Sequence, residues 1–191
     1  FRGESVDRVP FVHVDNLAAP NEEIWSVVGR ENMGITRWSR LHRFESVNCS
    51  MKSEKIESNG IKGVRNTIIT PSGTLYEEKY FDPNLGTEAY RKHFVENEED
   101  YPILMEYLKD LRVLDDTETY LKDQDELGED GLAMAVIYRT PFQKLWIELV
   151  SIEDLSIHMA DNPELVEECM EILVSIQRKI FQIVVKALDK I

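Results

Sequence analysis

The sequence predicts an α/β fold that carries an antiparallel meander, and three observations point to it. A near-continuous apolar run, LAMAVIY at 132–138, lacks the alternation of a strand with one wet face and reads as a strand covered on both sides, as in parallel sheets. Long stretches with apolar residues three or four apart separate this run from the other candidate strand, the spacing of helices between parallel strands. Two turn dipeptides, Asn59-Gly60 and Ser72-Gly73, each lie between segments of strand propensity, which is the signature of hairpins.

In chain order, FRGESVDRVP reads as the exit from something upstream, since Phe1 is not an initiator methionine. VPFVHVDN follows, with Pro10 near its start, where a strand tolerates proline, and β-branched residues after it. If this segment is extended, Val12 and Val14 face one way and Phe11, His13 and Asp15 the other, which puts His13 and Asp15 near its C-terminal end. Pro20 and Asn21 introduce EEIWSVVGRENMG, whose acidic first turn and closing Gly34 predict a short helix. Residues 50–82 predict a meander of three short strands. In ENEEDYPILMEYLKDLRVL, Tyr101, Leu104, Met105, Leu108 and Leu111 recur at helical spacing behind an acidic turn. TETYLKDQDELGEDG is acidic and fits a loop or a short helix. Pro141 ends the apolar run and starts the next helix, and residues 142–191 read as almost wholly helical. The last helix has the clearest boundary: Asn162 can cap, Pro163 suits the first helical position, and Cys169, Leu173, Ile176, Ile180, Ile183 and Ala187 line one face.

The 191 residues are 42% hydrophobic and 30% charged, enough to enclose a core, and one domain is the default expectation. The 22 Lys and Arg stand against 36 Asp and Glu, a net charge of −14 spread along the chain. Such a surface repels phosphates, so neither nucleic acid nor an anionic membrane is an expected partner. No apolar stretch approaches the 18 or so residues of a bilayer span, and a soluble, cytoplasmic protein is expected. Two cysteines, Cys49 and Cys169, suit a reducing compartment rather than a disulfide framework.

Two strand ends attract functional interest, because ligands of parallel α/β folds bind where strands end and loops begin. His13 with Asp15 could orient substrate or transfer a proton, since a nearby carboxylate favours the charged imidazole; the alternative is a satisfied histidine beside a turn-forming or capping aspartate. Tyr138 and Arg139 could bind an anionic substrate group or a corrinoid side chain, and Arg139 could equally form an ion pair with one of the many carboxylates. His42 and His93 sit among charged residues and read as surface side chains, as does His158, three residues before Asp161 on a helix. The glycines form no phosphate cradle.

FRGESVDRVPF, TPSGTLYEEKYFD followed by HFVENEEDYPIL, LGEDGLAMAV with Thr140-Pro141-Phe142, and DNPELVEECMEILVSIQRKIF together resemble the uroporphyrinogen decarboxylase-like superfamily. They stand in that family's order and span almost the whole chain. The resemblance implies the N-terminal part of a (β/α)₈ TIM barrel, with the 50–82 meander as an insertion and the active site at the strand C-termini. A complete barrel takes about 250 residues, so residues 1–191 would supply a partial barrel, and its uncovered edges imply self-association. The decarboxylases carry an Arg-Gln-Ala-Gly-Arg stretch after the first strand that grips substrate carboxylates, whereas this chain reads His13-Val14-Asp15-Asn16-Leu17-Ala18-Ala19. Both arginines are missing. The resemblance therefore implies the corrinoid-dependent methyltransferase branch, acting on a small-molecule or corrinoid-protein substrate, ahead of tetrapyrrole decarboxylation in porphyrin biosynthesis or a non-catalytic scaffold. Members of that branch use zinc held by a His-x-Cys pair and a distant Cys that lie in the C-terminal half of the family, so zinc and a corrinoid would belong to the full-length protein; neither cysteine here has a histidine two residues away, and no metal ligand is assigned to these residues.

Overall fold

The computed structural model describes residues 11–188, so FRGESVDRVP and the first two residues of VPFVHVDN lie outside the described residues. The fold is mixed α/β and divides into two compact units. Unit 1 comprises residues 11–43, 114–137 and 182–188, and unit 2 comprises 44–113 and 138–181. Among the described residues no sheet closes into a barrel, and no helix is long and apolar enough to cross a membrane.

Unit 1 is built on a three-stranded parallel sheet in the order β1 (Phe11–Val14), β2 (Met33–Ser39), β9 (Gly131–Ala135). Helix α1 (Asn21–Val28) and a 3₁₀ turn, Arg30–Asn32, connect β1 to β2, and α3 (Thr117–Leu127) leads into β9. β1 and β2 run parallel with Phe11 beside Met33 and His13 beside Ile35, and β2 aligns with β9 from Ile35–Gly131 to Ser39–Ala135. Met33, Ile35, Leu41, Tyr120, Leu127, Ala133 and Ala187 form the core, with Ile24, Trp25, Val28, Ile183 and Val184 packed against it. Strand β9 needs a glycine at its start: a Cβ on Gly131 would collide with the carbonyl oxygen of Ile35.

Two expectations fail in this unit. The predicted helix does not reach Gly34; it ends at Val28 because Gly29, at φ 87°, terminates it and bonds back to the Trp25 carbonyl. Gly34 instead lies within β2, a strand the helical reading concealed. The apolar run is also not buried on both faces. Ala133 is buried, but Met134 is 36% and Trp38 64% exposed, since they share the face opposite the core. The strand ends at Ala135, short of Tyr138.

Unit 2 carries a four-stranded antiparallel sheet, β4 (Ser50–Ser58), β5 (Ile61–Thr70), β6 (Gly73–Asp82) and β7 (Thr87–Lys92), in sequential order. The meander thus has four strands and runs to Lys92, ten residues beyond the expected end. Its first turn places Asn59 and Gly60 at φ 52° and 78°, the left-handed pair that a two-residue hairpin matching the strand twist requires. Helix α2 (Asp100–Asp110) packs on β5 and β6, and Tyr101, Leu104, Met105 and Leu108 are its buried stripe. Helix α4 (Pro141–Lys144) opens on a capping box, with Thr140 Oγ1 accepting from Gln143 N, and continues into a π-helical turn, Leu145–Leu149. Helix α5 (Ile152–Asp161) and the long α6 (Pro163–Ala187) follow. Asn162 caps α6 by accepting from Leu165 N, and Cys169, Leu173, Ile176, Ile180 and Ala187 are buried along it, as the spacing predicted. The chain crosses from one unit to the other four times: within β3 (His42–Glu45), within β8 (Arg112–Asp115), which pairs with β3, between residues 137 and 138, and within α6.

Three histidines are not the surface residues expected. His42 is 3% and His158 6% exposed, and His93 is half-buried. His158 Nδ1 lies 3.2 Å from the hydroxyl of fully buried Tyr101, 57 positions earlier, rather than serving a local contact with Asp161. A pairing so distant in sequence leaves no trace in helical spacing.

Candidate functional site

All three strands of the unit 1 sheet point the same way, so the ends of β1, β2 and β9 share one edge. Alternation along β2 puts Met33 and Ile35 into the core and carries Arg37 and Ser39, on the same face, out to that edge. Register does the rest: Asp15, just beyond β1, stands beside Arg37 because its amide continues the ladder to the Thr36 carbonyl at 2.9 Å.

Arg37 Nε donates to Asp15 Oδ2 at 2.6 Å, and its Nη1 donates to Glu126 Oε2 at 2.9 Å and lies 3.5 Å from Asp123 Oδ1. Ser39 Oγ donates to the other oxygen of Asp123 at 2.5 Å. Asp123 and Glu126 lie one turn apart on α3, which presents both to the strand face. The Arg37 and Asp15 side chains keep 25% and 17% of their exposure, so their pairing is largely removed from water.

The loop after β1 is tied down by amides. Asp15 Oδ1 accepts from Asn16 Nδ2 at 2.8 Å and from Asn21 Nδ2 at 2.7 Å. Asn16 and Asn21 exchange reciprocal backbone-to-side-chain bonds, each 3.0 Å, and Asn16 adopts φ 53°, a conformation asparagine tolerates better than most residues. His13 is half-buried on the same face of β1 as Asp15, with Nε2 3.4 Å from the Ala19 carbonyl. His13 and Asp15 are thus neighbours, but the carboxylate is engaged by Arg37, Asn16 and Asn21 rather than by the imidazole.

Tyr138 and Arg139 fall in unit 2, so the four expected site residues divide between the two units. Tyr138 is 73% exposed at φ 45°, a left-handed conformation that costs an aromatic residue strain. Arg139 Nε lies 3.5 Å from Glu148 Oε1, and Glu148 also accepts from Lys144 Nζ at 2.7 Å. Arg139 therefore makes the ion pair that its acidic surroundings offered.

A second polar group in unit 2 escaped sequence reasoning. Glu77, 3% exposed, accepts from Asn66 Nδ2 at 2.7 Å and pairs with Lys79 Nζ at 2.9 Å. Lys79 lies 4.5 Å from the centre of the Tyr90 ring, which stacks on His93 at 4.4 Å. Burial pushes the Tyr90 hydroxyl up and the His93 imidazole down from their ordinary values. Glu77 and Lys79 share the face of β6 that carries buried Leu75, so the available signal was two charges in phase with an apolar position.

The donor set for zinc does not fit. Among the described residues no three His, Cys, Asp or Glu side chains group as a metal would require. Both cysteines are buried, and burial pushes the Cys169 thiol up to about 12, away from the thiolate that zinc binds. Searches of protein-family models, of curated proteins and of solved structures each find no match to this chain.

Proposed function

We propose that this chain is the N-terminal segment of a uroporphyrinogen decarboxylase-like enzyme of the corrinoid-dependent methyltransferase-like branch. The carrying observation is the charge at the carboxyl edge of the unit 1 sheet. Three carboxylates, Asp15, Asp123 and Glu126, gather on the Arg37 guanidinium, and even with Lys122 Nζ 3.8 Å from Glu126 the group keeps a net negative charge. A polycarboxylate substrate needs guanidinium groups free to bind it bidentately, and both Arg37 and Arg40, just past the end of β2, are already paired with carboxylates. A neutral or cationic methyl-bearing substrate suits the edge, and this weighs against tetrapyrrole decarboxylation.

The ordered resemblance along the chain supports the same reading. On it, β1, β2 and β9 are the first three strands of a (β/α)₈ barrel, and the meander is a sequence insertion between the second and third. His13 and Asp15 face the substrate and Arg37 holds Asp15 in place, while Tyr138 and Arg139, in unit 2, are separate candidates for binding an anionic group. The corrinoid acts as a co-substrate, free or carried on a partner protein, and no zinc role falls to the described residues.

The test is methyl transfer by the purified full-length protein, followed by the visible spectrum of methylcobalamin in the presence of a thiol acceptor, with uroporphyrinogen turnover measured in parallel. The expected result is loss of the methylcobalamin spectrum, a change abolished by His13→Ala and slowed by Arg139→Ala. Carbon dioxide release from uroporphyrinogen would establish the decarboxylase instead. A folded protein inactive on both would favour the scaffold reading, and full activity in both variants would remove these residues from the site.

A further inference from the structure

We propose that the outer edge of β4 pairs with the same edge of a second copy, joining two four-stranded sheets into one of eight strands about a two-fold axis at Ser53. The inference is independent of the catalytic reading, since β4 lies wholly in unit 2 and contains none of the residues assigned to substrate.

The two edges of the sheet differ. β7 is six residues long and its pairing with β6 is interrupted by a bulge between Glu78 and Lys79, which breaks the regular row of outward backbone groups. β4 is nine residues long and pairs with β5 at every position from Ser50–Ile69 to Ser58–Ile61 without a shift. It contains no proline or glycine, and eight of its nine residues are exposed. A long, regular, exposed edge is a template for another strand unless its side chains forbid the approach.

Its side chains select one register. A two-fold axis normal to the sheet makes the strands antiparallel and keeps each face on its own side, so each residue meets its symmetry mate across the axis. Centred on Ser53, Lys52 stands opposite Glu54 of the second copy, and Glu54 opposite Lys52, giving two opposite-charge pairs on one face. On the other face Met51 meets Lys55, whose aliphatic stem can lie along it. Centring on Lys52, Glu54 or Lys55 would set like charges against each other, and centring nearer either end of the strand shortens the paired length. The chain carries −14, yet Ser50–Ser58 holds two lysines and two glutamates, so the mutual repulsion of two acidic molecules is locally absent at this edge.

Sedimentation equilibrium of the full chain from micromolar to near-millimolar concentration tests this. The wild type should dimerise. Lys52→Glu faces Glu54 with a like charge at both symmetry-related positions, and Lys52 stands opposite Thr67 within its own sheet, so the β4–β5 ladder is spared. Glu54→Lys has the converse effect; because Glu54 also pairs with Arg65 opposite it in its own sheet at 3.4 Å, circular dichroism must show that this variant folds, which it should since Arg65 keeps Glu78 as partner. Each variant should raise the dimer dissociation constant at least about tenfold. An equimolar mixture of the two should re-form a dimer, because the carboxylates of the Lys52→Glu chain then face the ammonium groups of the Glu54→Lys chain at both positions. Hydrogen exchange provides a second measure in unaltered protein: β4 amides should gain protection as concentration rises. A wild type that stays monomeric, a dimer indifferent to Lys52→Glu, a mixture that stays apart, or β4 exchange independent of concentration would each overturn the proposal.

Discussion

Replacing Arg37 by methionine keeps the length and most of the apolar contact of the side chain while removing its charge and donors. In the folded protein Asp15 would lose its shortest bond, 2.6 Å, and Glu126 a bond of 2.9 Å. Asp123 keeps the Ser39 hydroxyl, and Asp15 keeps its two asparagine donors. The loss is therefore about two charge-assisted bonds. Glu126 is half-exposed at 51%, and its bond contributes little. The Asp15 pair is mostly shielded, and removing one partner there costs about 1.5–3 kcal/mol. Adding mutual repulsion among three carboxylates, the expected total is about 2–3 kcal/mol, a fall in Tm of roughly 4–12 °C for a chain of this size. Because the repulsive part acts across partly solvated carboxylates, 1 M salt, with a Debye length of about 3 Å, should recover part of the loss. The assay is thermal unfolding by circular dichroism at low and high salt, on Arg37→Met, Asp15→Asn and the double variant. In the double variant the cost should be smaller than the sum, with a coupling of about 1 kcal/mol or more. Strict additivity, or an Arg37→Met protein as stable as the parent, would refute the view that this network holds the sheet edge together.

Four further perturbations probe other parts of the fold. Tyr101→Phe strips the hydroxyl from buried His158 and should cost about 1–2 kcal/mol, read by denaturant unfolding; a neutral result would mean the pair is incidental. Gly131→Ala forces a methyl into the Ile35 carbonyl and should cost about 1–3 kcal/mol, visible as a lowered Tm. Asp110, which accepts from the backbone N–H groups of Cys49, Asn48 and Val47, is held at about 2 mainly by those bonds. Its folded value lies below its unfolded one, so its contribution is complete above about pH 4 and disappears as pH falls toward about 2; Asp110→Asn should flatten stability across that window. His93 is lowered mainly by burial, so its neutral form favours folding, and stability should begin to fall as pH drops below about 6.5. His93→Gln should remove that part of the profile.

Much of the secondary structure was readable in the residues. Asn59-Gly60 fixed a hairpin through two left-handed positions, and Asn162-Pro163 fixed the start of α6, because both depend on groups within a few positions of each other. The stripe from Tyr101 to Leu108 identified the buried face of α2 for the same reason. Strand β2 was hidden because Gly34 imitates a helix stop, and the actual stop, Gly29, is equally a glycine; only a left-handed φ distinguishes them. The fourth meander strand was missed because TEAYRK presents little apolar alternation, its pairing with β6 being what makes it a strand. At the candidate site, His13 and Asp15 were correctly placed near a strand end by alternation alone. Arg37, Asp123 and Glu126 were not, since 22 and more positions separate Arg37 from each carboxylate it binds.

By itself the sequence determined the mixed α/β character, the acidic surface, and every feature set by neighbours along the chain: turns, caps and apolar stripes. Tertiary structure alone decided which face of the β9 run is buried, which carboxylates share Arg37, and that His158 lies beside Tyr101. Local features follow from backbone dihedrals and side chains a turn apart, which the order of residues encodes directly. Pairings across tens of residues are selected by the register of strands and the packing of helices, in which one charged residue among 58 acquires a particular partner only when the chain has closed around it.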